Sequence, residues 1–152
     1  MRVLLSGGGT GGHINPALAI GGKIKEMHPD AVIEYVGTKR GLETSLVPKE
    51  GYPIHYVDVR GFKRKLTVEN IAVLFKAVTS VFAAKKIIKE FKPDVVIGTG
   101  GYVCWPVLKA ASQMGIPTAV HEQNAYPGLT VVKLAKFVDR VLISFEESKK
   151  YF

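Results

Sequence analysis

The sequence predicts an open, doubly wound α/β fold on a parallel sheet. Short β-branched runs alternate with helical stretches from one end of the chain to the other, as repeated βαβ units require. Three of the runs end in glycine-rich or polar turns. The chain has 152 residues, the size of one domain with a single core and too short for two.

The first run, residues 2–6, is apolar and stops at a glycine loop, so it reads as a buried strand. It is too short for a signal peptide or a membrane span. Asn15 before Pro16 reads as an N-cap followed by proline at the first helical position, which predicts a helix over 16–27. Residues 31–36 form the second strand and 42–50 the second helix. A third strand over 54–59 precedes a long helix over 67–90, which Thr67 caps with Glu69 and Asn70 behind it. The remaining strands are read at 94–97, 118–121 and 140–144, with helices at 106–114 and 129–137 between them. Residues 145–152 open like a new helix and stop, as expected of a longer chain cut near a domain junction.

Composition is that of a folded globular protein, with 47% hydrophobic and 22% charged residues. A net charge of +8 favours anionic partners: phosphates, nucleic acid or acidic lipid headgroups. The aromatic residues are not interleaved with the basic ones, so nucleic acid is not an expected partner. Cys104 is the only cysteine, which rules out an intrachain disulfide and favours the reducing cytoplasm.

In a parallel sheet of this kind ligands bind beyond the carboxyl ends of the strands, where helix N-termini also point. Three loops fall there: Ser6 to His13, Gly98 to Tyr102, and His121 to Asn124. Glycines allow close backbone approach and positive φ, so unpaired amides there suit a diphosphate. One such loop alone reads as a tight strand-to-helix turn, whereas two on one edge point to phosphate. Gly7, Gly9 and Gly12 also have dinucleotide-fold spacing, but no carboxylate ends the second strand, which disfavours NAD. Lys39 and Arg40 stand there instead and leave an NADP-binding oxidoreductase module as an alternative. There is no Walker A lysine, no metal-ligand spacing and no nucleophile triad.

Of the four histidines, His13 and His121 lie on this rim. His13 reads as a group that takes a proton from a hydroxyl, or as a structural hydrogen-bonder. His121 reads equally as a binding or a supporting residue. Glu122 and Asn124 have the chemistry to grip sugar hydroxyls, or to cap their own turn.

The runs GGGTGGHINPALA from Gly7, GTKRGLE from Gly37, GTGGYV from Gly98 and HEQNAYPGLT from His121 together resemble the MurG family of glycosyltransferases over the whole chain. The resemblance implies the first of two Rossmann-like domains of a GT-B fold. Residues 1–152 would be the acceptor-binding domain, with the donor-binding C-terminal domain outside this chain. The implied reaction transfers N-acetylglucosamine from UDP-N-acetylglucosamine to lipid I with inversion, giving lipid II, with no cofactor. On this resemblance Gly8, Gly9, Gly100 and Gly101 face the acceptor diphosphate, and Tyr102, His121 and Glu122 lie near the acceptor. Thr10, Gly11, Gly12 and Asn124 approach the donor, His13 is the catalytic base, and the domain alone is inactive. Cys104-Trp105 departs from the family's small residues, and the tryptophan is expected to reshape the acceptor loop.

On the long helix, Ile71, Leu74, Phe75, Val78 and Phe82 share one face, continued by Lys85 and Lys89. Val73, Ala77, Val81, Ala84 and Ile88 share the opposite, smaller face. The bulky face reads as buried core. With the resemblance, and with Lys63, Arg64 and Lys65 before the helix, it reads as a peripheral patch for anionic membrane on the cytoplasmic face of a bacterial cell. A further alternative is a non-catalytic membrane-docking subunit of a split sugar-lipid transferase.

Overall fold

The computed structural model describes residues 1–59 and 69–152, the side chains of 69–75 and 77 excepted. Lys63, Arg64, Lys65 and Thr67 lie outside the described residues, as do the side chains of Ile71, Val73, Leu74, Phe75 and Ala77. Six parallel strands stand in the order β3-β2-β1-β4-β5-β6. They are β1 (Arg2–Ser6), β2 (Val32–Gly37), β3 (Ile54–Tyr56), β4 (Val95–Gly98), β5 (Thr118–Glu122) and β6 (Arg140–Ile143). The helices are α1 (Gly11–Met27), α2 (Glu43–Lys49), α3 (Glu69–Phe91), α4 (Cys104–Gln113) and α5 (Leu129–Leu134), followed by a 3₁₀ turn, Glu146–Tyr151. The predicted Rossmann-like α/β class is therefore observed, and the strand order reverses between β1 and β4.

Alternation along the strands divides the core. Val3, Leu5, Ile33 and Tyr35 face α1 and α2 through Ile14, Ala17 and Val47. Leu4, Val36, Val96 and Val120 face α3, α4 and α5 through Ala84, Ile88, Leu108 and Leu134. Right-handed crossovers leftward from β1 and rightward from β4 require helices on opposite faces, and this division follows. On the described part of α3, Ala84 and Ile88 are buried while Val78 and Phe82 are exposed. Among the described residues no helix is long and apolar enough to cross a membrane.

Several boundaries differ from the sequence expectation: α4 begins at Cys104 and α5 stops at Leu134. For the start of α1 and the end of β3 the physical reason is plain. Helix α1 begins at Gly11, not at Pro16, because Gly9 turns the chain with φ of 88° and the His13 and Ile14 amides bond the Thr10 carbonyl. Asn15 is thus not the cap, and Pro16 lies inside the helix, where its missing amide costs only the bond to the Gly12 carbonyl. Strand β3 stops at Tyr56 because it is an edge strand whose ladder with β2 ends at Gly37.

Candidate active site at the sheet's switch point

The loops after β1, β4 and β5 occupy adjacent positions on the carboxyl edge, centred where the strand order reverses. The first two loops touch. The Gly8 amide donates to the Gly100 carbonyl at 3.3 Å, and a Cβ on Gly101 would lie 2.4 Å from the Gly8 carbonyl oxygen. Gly100 and Gly101 carry φ of 106° and 83°, so only glycine fits both the turn and the approach.

Buried side chains hold these turns from below. Tyr35 donates its hydroxyl to the Gly7 carbonyl at 2.7 Å. Thr99, fully buried, donates to the carbonyl of His13 and so ties the end of β4 to the first turn of α1. The Cys104 thiol lies 3.0 Å from the Ser6 carbonyl and 2.9 Å from that of Gly100, and accepts the Gly100 amide. Burial pushes this thiol up to about 11, so it stays protonated and donates. Trp105, in the first turn of α4, packs against the core, which accounts for a bulky residue here.

Glu43 was not singled out from the sequence, yet it organises the edge. It is fully buried; one oxygen accepts the Gly9 amide at 3.1 Å, and the other accepts the Thr38 amide and hydroxyl at 2.9 and 2.8 Å. Burial alone would raise its pKa, but the hydrogen bonds, led by the Thr38 amide, outweigh burial and lower it, so Glu43 is a carboxylate. Added Cβ atoms on Gly8, Gly37 and Gly41 would all strike its side chain. A carboxylate ringed by glycines is the signal the sequence held.

These bonds change what the glycine loops offer. The amides of Gly8, Gly9 and Gly100 are already engaged, by Gly100, Glu43 and Cys104 respectively. They contribute close backbone approach and not the free N–H groups expected of them. The amides of Gly11 and Gly12, in the first turn of α1, have no intrahelical carbonyl to bond and lie at the helix's positive end.

His13 stands over this junction, half-buried in the first turn of α1. Its Nδ1 lies 3.2 Å from the Gly8 carbonyl and 3.3 Å from the Thr10 hydroxyl, and its ring lies against Gly100. A carbonyl only accepts, so the Gly8 contact selects the tautomer with hydrogen on Nδ1 and leaves the Nε2 lone pair for chemistry. Tyr102 is exposed on the neighbouring turn.

After β5 the carboxylate of Glu122 is buried and turned onto its own loop. It accepts the Asn124 amide and side-chain N–H on one oxygen and the Gly128 amide on the other, each at 2.9 Å. Of the two sequence readings for Glu122, turn capping matches these bonds, and Asn124 is the exposed residue that the turn presents. His121 meets Ser144 through Nε2 at 3.0 Å, while its Nδ1 is buried without a partner. Burial lowers its pKa, partly opposed by Glu122, so the imidazole is neutral. Glu34 pairs with His55 within the sheet, away from the rim. Among the described residues no group of three metal-ligating side chains comes together.

Residues 3–143 match the glycosyltransferase family 28 N-terminal domain. The transferase of Alkaliphilus oremlandii named UDP-N-acetylglucosamine--N-acetylmuramyl-(pentapeptide) pyrophosphoryl-undecaprenol N-acetylglucosamine transferase is 56% identical over all of this chain, which covers 42% of it. The enzyme of the same name from Acetivibrio thermocellus is 58% identical, with 100% of this chain and 41% of that protein covered. The crystal structure of Acinetobacter baumannii MurG superposes with a TM-score of 0.84 at 33% identity, covering 97% of this chain and 42% of that one. The chain thus spans about two-fifths of the length of its curated relatives. On this match the chain belongs to glycosyltransferase family 28, within that family's N-terminal domain.

Proposed function

We propose that this chain is the acceptor- and membrane-binding half of the transferase that moves N-acetylglucosamine from UDP-N-acetylglucosamine to lipid I, forming lipid II. The observation carrying the reading is the imidazole of His13, held with Nε2 free above two touching glycine turns at the switch point. The 4-hydroxyl of the muramoyl sugar gives its proton to Nε2 as its oxygen attacks C1 of the donor sugar. The bond from C1 to the UDP oxygen breaks on the opposite side, which inverts the anomeric centre, and UDP leaves with the electron pair. The amides of Gly11 and Gly12 are placed for a phosphate, with Thr10 and Asn124 flanking. Gly8, Gly9, Gly100, Gly101 and Tyr102 form the surface on which the acceptor diphosphate lies.

A second domain carrying the donor is required for the closed geometry of transfer. Radiolabelled UDP-N-acetylglucosamine supplied with lipid I is expected to yield lipid II when this chain is joined to a family member's C-terminal half, and no turnover when it acts alone. Turnover by the isolated chain, or none by the joined protein, overturns the reading.

The membrane part rests on α3. Val78 and Phe82 are 49% and 67% exposed, and the Lys85 ammonium lies 5.8 Å from the centre of the Phe82 ring. An apolar stripe bordered by lysines suits the interface of an anionic bilayer on the cytoplasmic side. Co-sedimentation with anionic vesicles at low salt is expected to fall about tenfold on Phe75→Asp with Phe82→Asp, from the lost burial of two rings. Unchanged binding rejects this patch.

A further inference from the structure

A hollow of about 400 Å³ opens at the carboxyl ends of β2 and β3, beside the glycine turns and outside the site described so far. Lys39 and Arg40 line one side, Tyr56, Asp58 and Val59 the other, and Thr38 adjoins the turn. We infer that this hollow takes the peptide stem of the acceptor, with Lys39 and Arg40 meeting its free carboxylate. The inference rests on the acceptor reading above and extends it to a part of the substrate that no residue has yet been given.

Position is the first argument. Neighbouring strands lie about 4.8 Å apart, so the hollow is roughly 5–10 Å along the edge from the end of β1. The relatives' names specify an acceptor bearing a pentapeptide. Muramic acid carries a lactyl carboxyl, so a peptide joined there is acylated at its N-terminus and keeps its C-terminal carboxylate. Five extended residues reach about 17 Å, enough to enter the hollow from a sugar held over the glycine turns.

Rigidity is the second. Glu43 accepts from Thr38 with one oxygen and from Gly9 with the other, so a single carboxylate fixes the wall of the hollow relative to the glycine turn. A subsite for one end of a substrate is useful only when its distance from the reacting end is constant.

The third is the character of the walls. Lys39 and Arg40 are exposed and stand in no ion pair among the described residues. Among the described lining residues the carboxylate is Asp58, which is bound to Lys76 at 2.6 Å, so its charge is offset. Tyr56 and the valines beside it supply apolar surface with one hydroxyl. Two cations beside a mixed wall fit the terminal carboxylate of a short peptide, and the volume lies in the range of ligand pockets.

Calorimetric titration of this chain compares N-acetylmuramyl-pentapeptide 1-diphosphate with the same sugar diphosphate lacking the peptide. The peptide form is expected to bind about tenfold tighter, a gap that excess inorganic phosphate leaves open. Lys39→Ala with Arg40→Ala is expected to remove the gap while leaving the peptide-free ligand within about twofold. Equal binding of the two ligands overturns the inference, as does a double variant that weakens both alike or a gap that phosphate closes. If the unsubstituted chain binds neither ligand, the acceptor reading itself falls and this subsite with it.

Discussion

Replacing His13 by alanine in the two-domain protein is expected to lower kcat by about 10²–10⁴-fold, the range for removing a positioned general base, and to leave acceptor affinity within about threefold. The expectation comes from how the ring is held. The Gly8 carbonyl at 3.2 Å takes the hydrogen on Nδ1, so Nε2 is presented as an acceptor. Gly100 leaves the ring room, since a Cβ there would sit 2.6 Å from Cδ2 and 3.1 Å from Nε2. The ring is held by its Nδ1 side with Nε2 turned outward, so its removal is expected to fall on the proton-transfer step. Steady-state rates with saturating donor, set beside acceptor titrations, separate the two effects. An unchanged kcat removes His13 from the mechanism, and a loss confined to affinity makes it a binding residue.

The parallel sheet was legible because buried strands carry their β-branched runs wherever they fold, and the run at 94–97, observed as Val95–Gly98, reads as a strand without knowledge of its neighbours. The start of α1 was not. Asn15-Pro16 is a strong local start signal, and it is overridden by a backbone turn at Gly9 that a contact from 34 residues away stabilises. Glu43 escaped for the same reason. On a helix's first turn a glutamate reads as a surface charge favouring the dipole. Only the pairing of β1 with β2 brings the Gly9 amide to it. Glu122 shows the converse: an acid in a polar loop suggested a sugar ligand, whereas its three bonds all go to its own turn. The sequence shows which residue types reach the edge, and the fold decides which of them remain free to meet a substrate.

The largest loss of stability is expected from Gly101→Ala. Two separate costs meet at this position. With φ of 83°, a residue bearing Cβ pays about 1–2 kcal/mol for the left-handed conformation. The new methyl would also lie 2.4 Å from the Gly8 carbonyl oxygen and 3.1 Å from the Gly8 carbonyl carbon and nitrogen, all backbone atoms that no rotamer change can move aside. The two turns must then separate, which breaks the Gly8 to Gly100 bond and carries the Gly8 carbonyl away from His13. A total of about 3 kcal/mol lowers Tm by about 6–12 °C for a domain of this size. Gly115→Ala isolates the first cost, because Gly115 has φ of 69° with nothing within 4 Å of its added Cβ. Thermal melts followed by circular dichroism are expected to show a Gly101→Ala drop about twice that of Gly115→Ala. Equal drops would mean that the turns part at no cost, and the junction on which His13 is positioned would then be too soft to hold it.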